Sequence, residues 1–266
     1  MSLHPVKPAA RLSRHSLELW LDSPRGRALL ALEEAELKRV LPDVFGRHLL
    51  QIGDWGREAQ LLASAETLHH AVLGGITNTG NAATIDPHNL PLANQSVDAL
   101  LLPHTLEFSA SPHTVLREAS RVLNDRGRLF VLGFNPYSPW ALRARLGLRY
   151  AAFPASARPV SNGRLTDWLQ LLDFEVTELR RFGDGFPWLA PRSAGEPWNP
   201  GSLFAPFAQA YLLVAKKRVL PVSLIGRAPR AQVKSLVGMP APAARRDSTK
   251  VSSFPNPQSP IPNPDA

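Results

Sequence analysis

Four clusters of residues able to do chemistry each stand just after an apolar, strand-like run. Gly53, Asp54, Trp55 and Gly56 follow 48–52; Asp86, His88, Asn89 and Leu90 follow 82–85; His104, Thr105 and Glu107 follow 96–102; Asn135 and Tyr137 follow 128–134. A carboxylate accepts hydrogen bonds, an amide does both, and an imidazole can carry a proton near neutral pH. Glycines let a backbone approach a ligand, and a turn leading into a helix directs its first amides at one. His104 could be a general base, a substrate hydrogen-bond partner or a satisfied residue at a strand end. Asp98, Glu118 and Arg121 have the placement of scaffold residues, the latter two as an i,i+3 pair. His69, His70 and His88 do not stand at ligand spacing with any acid cluster, so no metal is expected.

The elements that must carry these clusters follow from hydrophobic period and punctuation. The last three runs, with the helix-patterned 112–123 between two of them, give strand, loop, strand, helix, strand, the order of a parallel βαβ sheet. In such sheets ligands sit outside the carboxyl ends of the strands, where the clusters lie. Residues 23–40 read as a helix capped by Ser23 with Pro24 at its first position, and 57–65 as a short helix. A strand at 69–73 is followed by a loop, 74–81, too short for a crossover helix. That strand is expected to pair antiparallel or not to exist. Further helices are read at 139–148, with Arg143, Arg145 and Arg149 facing solvent or an anionic substrate, and at 163–172. Strands at 174–182 and 209–218 form an antiparallel pair whose long connection, 183–206, could cover a neighbouring site.

Composition narrows the function classes. The chain has 266 residues, 44% of them hydrophobic, enough for a sizeable core. No apolar run approaches the roughly 20 residues of a membrane span, and the first residues lack a signal-peptide core, so a cytoplasmic protein is expected. The absence of cysteine excludes disulfides, thiolate metal sites and thiol nucleophiles. The formal charge of +8 is concentrated beyond residue 215, where Lys216, Lys217, Arg218, Arg227, Arg230, Lys234, Arg245, Arg246 and Lys250 face only Asp247 and Asp265. This proline-rich tail, 219–266, is expected to be disordered and could attract an anionic partner such as nucleic acid.

The segments Asp86-Pro87-His88-Asn89-Leu90-Pro91-Leu92, Ser96-Val97-Asp98-Ala99-Leu100-Leu101, Leu116-Arg117-Glu118-Ala119-Ser120-Arg121-Val122-Leu123 and Gly127-Arg128-Leu129 occur in that order. They resemble the class I S-adenosylmethionine-dependent methyltransferases of the type 11 group, most closely the YafS-like bacterial branch, over about residues 48–218. The resemblance implies a three-layer α/β/α fold with a Rossmann-like sheet, mostly parallel with an antiparallel C-terminal strand pair. It implies three regions: an N-terminal helical extension, 1–44, a methyltransferase-like domain, 45–218, and the tail. It further implies S-adenosyl-L-methionine as cofactor, held by Gly53, Asp54, Gly56, Asp86, His88, Asn89 and Leu90. His104 would be the catalytic candidate, with Asn135 and Tyr137 against an unidentified methyl acceptor, small or macromolecular. Three departures stand beside it: Gln51 where the family has an acid, Trp55 at the middle glycine of the turn, and no acid after the second strand. They motivate an alternative, a methyltransferase-fold interaction or scaffold module without cofactor.

Overall fold

The computed structural model describes residues 14–57, 59–74, 83–146, 157–183 and 207–218. The chain divides into two units, Met1–Pro221 and Val222–Ala266, and the second lies outside the described residues. In order, the first unit contains α1 (Arg14–Asp22), α2 (Pro24–Val40), β1 (His48–Ile52), β2 (His69–Gly74), β3 (Ala83–Thr84), β4 (Val97–Pro103), α3 (Thr105–Phe108), α4 (Pro112–Val122), β5 (Leu123–Phe134), α5 (Pro139–Arg145), α6 (Asn162–Gln170), β6 (Phe174–Phe182) and β7 (Ala210–Lys217).

One seven-stranded sheet has the order β3-β2-β1-β4-β5-β7-β6. β7 runs antiparallel between β5 and β6, and the other neighbours are parallel. From β1 the chain builds outward to β2 and β3, then returns to place β4 on the other side of β1. The ends of β1 and β4 therefore flank the switch point at which such sheets open a ligand crevice.

The centre of the sheet is buried on both faces, which is why residues 99–102 of β4 read as an unbroken apolar run. Ala99 and Leu101 join Leu49, Phe130, Leu132 and the side chains of α1 and α2 in one core. Leu100, Leu102, Leu129 and Val131 join Val115, Leu116, Ala119 and Val122 of α4 and Leu165 and Leu169 of α6 in the other. Residues 17–44 thus contribute side chains to the sheet's own core. In α2 the Ser23 side chain accepts the Gly26 amide, and Leu29, Leu30, Leu37 and Val40 form the buried stripe. Asp98 is structural in its contacts: Oδ2 accepts the Arg47 and His48 amides and Oδ1 accepts Asn124 Nδ2, pinning β1 to β4.

Three local expectations change. β2 is a strand and runs parallel to β1, and β3 pairs parallel to β2 only at Leu73 and Gly74, so the return before it need not span a strand's length. The helix expected at 57–65 is a single 3-10 turn, Gln60–Leu62, entered through Ala59 in the left-handed region at φ 61°. Leu61 and Leu62 enter the core there, and eight or nine residues give a helix too little length to stand alone. α1 lies within the expected helical extension, ahead of the helix read at 23–40, and α3 falls where no element was read. Residues 184–206, 219–266 and Arg149 lie outside the described residues, and with them the readings of a covering loop, a disordered tail and that arginine.

Candidate cofactor crevice

β1 ends at Ile52 and the chain turns through Gly53 and Gly56, with φ of 117° and 86°, values that glycine adopts without strain. A Cβ on Gly53 would lie 2.7 Å from Thr105 Oγ1, and one on Gly56 would rest against Leu61 and Leu30. Both glycines therefore face the protein, and their turn packs on the start of α3. Gln51 Nε2 donates to the Gly53 and Trp55 carbonyls at 3.1 and 2.8 Å, while its buried Oε1 has no hydrogen-bond partner.

Trp55, three residues after β1, packs its ring over His104, the residue after β4. Its ring is buried, centred 4.2 Å from His104, 5.4 Å from Trp20 of α1, 5.7 Å from Phe134 at the end of β5 and 6.3 Å from Phe108. Its Nε1–H donates to Glu33 Oε2 at 2.6 Å.

His104, the residue after β4, is fully buried beneath that ring. Its Nε2 lies 2.7 Å from Glu33 Oε1 and its Nδ1 2.7 Å from Glu107 Oε2. Burial alone would lower the imidazole's pKa, but the two carboxylates outweigh it and lift it to about 9. The Glu107 carboxyl is pushed up, chiefly by burial, against the opposing pull of His104 and the Phe134 amide that it accepts. With both ring nitrogens engaged by carboxylates, the buried ring presents no free nitrogen to a substrate in this arrangement, which is the geometry of a satisfied strand-end residue. Glu33 is the residue that sequence reasoning missed. Its signal was present, because position 33 falls on the stripe of Leu29, Leu30, Leu37 and Val40, where an acid must be buried and matched.

At the β3 end, Asp86 Oδ1 accepts the His88 amide at 3.0 Å and its Nδ1 at 2.8 Å, while His88 Nε2 lies 2.8 Å from Ser109 Oγ. His88 thus ties the loop after β3 to the one after α3. Asp86 keeps 65% of its side-chain surface open and His88 32%, so both can meet a ligand. Asn89 is exposed beside them, and Asp54 is half-buried in the turn after β1. Leu90 is not placed to meet one: its side chain is in the core, its N–H goes to Glu118 Oε2 and its carbonyl accepts from Arg121. Asn135 is held by the backbone around it. It is buried, with Nδ2 donating to the Ala208 carbonyl and Oδ1 accepting the Tyr137 amide, and so joins β5 to the segment entering β7. Tyr137 is 65% exposed beyond the sheet edge. Among the described residues no three His, Asp or Glu side chains could hold a metal, and no helix is long and apolar enough to cross a membrane.

A methyltransferase domain family model matches residues 59–131. YafS of Escherichia coli, itself uncharacterized, is 35% identical over 207 residues, spanning 78% of this chain and 83% of its own. The chain belongs to the class I methyltransferase family, in the branch of YafS. Among solved structures, a methyltransferase from Archaeoglobus fulgidus superposes with TM-score 0.56 at 19% identity, over 75% of this chain and 99% of its own. One from Thermotoga maritima gives 0.54 at 20%, over 77% and 99%. Both are S-adenosylmethionine-dependent methyltransferases, and the likeness is one of fold.

The family and fold imply S-adenosylmethionine, and the two ends of the crevice differ in how they suit it. Asp86, His88 and Asn89 offer exposed acceptors and donors of the kind an adenine needs. The turn after β1 does not fit the amino-acid end in this conformation, because the bulky Trp55 ring packs over His104 at the ends of β1 and β4. Gln51 and the acid-free stretch 69–84 supply no carboxylate for an ammonium or a ribose.

Proposed function

We propose that the protein is an S-adenosylmethionine-dependent methyltransferase acting at the carboxyl edge of β1, β3, β4 and β5. The observation that carries this reading is the strand order with a preorganised, exposed Asp86–His88 pair beside the switch point. Asp86 would accept from the adenine amino group, with His88 fixing its orientation, and Gly53, Asp54, Gly56 and Asn89 would line the same edge. Tyr137 is the candidate surface for the acceptor, small molecule or macromolecule. Transfer from a sulfonium asks the protein mainly to align donor and acceptor, which agrees with the absence of an accessible base at His104. Calorimetric titration with S-adenosylmethionine and its demethylated product tests the reading. Binding of either at millimolar concentration is expected, weakened by Asp86→Ala. No binding by folded protein overturns it.

A second reading is favoured by Trp55, Gln51 and the acid-free stretch 69–84 around the second strand: the fold is kept and serves as an interaction module without cofactor. Under it, neither compound binds and Asp86→Ala changes nothing.

A further inference from the structure

We propose that Trp55, held by the N-terminal helix pair, is an internal plug of the cofactor crevice, and that cofactor enters only when this ring leaves its cage. The inference rests on reading the crevice as a cofactor site. It concerns a conformational equilibrium within that site, set by Trp20, Asp22, Glu33, Trp55 and Arg57, which lie outside the matched stretch 59–131, together with His104 inside it.

The ring occupies the switch point itself: it follows β1 by three residues and covers His104, which follows β4 directly. Two latches hold it. Inside, the indole N–H is bound to Glu33 of α2, whose other oxygen is bound to His104. Outside, Arg57, two residues further on, is ion-paired to Asp22 at the end of α1, and Trp20 of the same helix packs on the ring. The turn is also built to move. Gly53 and Gly56 flank Trp55, and a pair of glycines with positive φ can absorb a large dihedral change at little steric cost. The closed arrangement also leaves a buried acceptor unmatched, Gln51 Oε1, on the amide whose Nε2 holds the Trp55 carbonyl. A donor entering the crevice, such as a ligand ammonium, would find that acceptor. A binding-competent state populated only in part lowers apparent affinity by that fraction, so the plug sets how tightly cofactor is held.

The experiment compares S-adenosylhomocysteine binding by the full chain and by Trp55→Gly, with folding of each checked by circular dichroism. Tighter binding by the variant, about tenfold or more, is expected for an open fraction of a tenth or less. Because removal of so large a buried ring could unfold the variant, amide hydrogen exchange of the unaltered chain is measured with and without saturating S-adenosylhomocysteine. Faster exchange in α1 and in 53–57 on binding is expected. Binding with equal affinity in both proteins, or binding that leaves exchange in α1 unchanged or slower, overturns the plug while leaving the methyltransferase reading intact. Binding by neither folded protein overturns both.

Discussion

His104 is the residue on which the site's electrostatics turn. An imidazole between two carboxylates, flanked by the rings of Trp55 at 4.2 Å and Phe134 at 4.0 Å, is held as a buried cation. Its pKa is raised in the folded state, so the stability it contributes is complete below the unfolded value of 6.5 and is lost as pH rises through about 9. Folding stability should therefore fall with a slope of about 1.4 kcal/mol per pH unit inside that window. Glu107, also raised, acts with the same sign, from the usual carboxylate range upward. Urea unfolding across the window checks this: His104→Gln should flatten the slope, and an equal slope in both proteins would refute the assignment. The ring was legible in the sequence as a residue at a strand's end. Its role was not, because that depends on Glu33, 71 positions away in sequence and joined to it only in the folded chain.

At the scale of elements, α4 does more than pack. Glu118 and Arg121 read in the sequence as a surface ion pair; in the fold they hold a loop. Glu118 accepts the Leu90 amide, and Arg121 donates to the Leu90 and Leu92 carbonyls and to Asn94 Oδ1. Their hydrogen bonds hold the Glu118 carboxyl below its usual range, Arg121 being the main cause. The loop they grip leads on from the Asp86–His88 pair, so α4 positions the proposed adenine wall from behind. Arg121→Ala should raise exchange of the Leu90 amide about tenfold or more with little effect on the β4–β5 ladder. Equal acceleration throughout both would mean global destabilisation, against a local clamp. Helix α4 and strands β4 to β7 were readable because their periods are strong and their partners near in sequence. The short turn 60–62 and the parallel β2–β3 pair were not, since tertiary packing decided both against local expectation.

For the whole molecule, charge and fold are carried by different parts of the chain. The basic residues from Lys216 to Lys250 lie at or beyond the last strand, while the body is near neutrality. Removal of residues after Arg218 should lower the salt needed to elute the protein from a polyanion matrix and flatten the salt dependence of nucleic-acid binding. Retention unchanged by the truncation would assign that binding to the body. By itself the sequence determined the family, the strand-helix alternation and the places where ligand-facing residues fall, because these depend on hydrophobic period and on motifs within about 50 neighbouring residues. Only the tertiary structure decided that Trp55 packs over His104, that Glu33 and Glu107 enclose His104, and that Leu90 and Asn135 face inward. Each depends on contacts between distant segments, whose geometry is set when α1 and α2 close over one face of the sheet and α4 and α6 over the other.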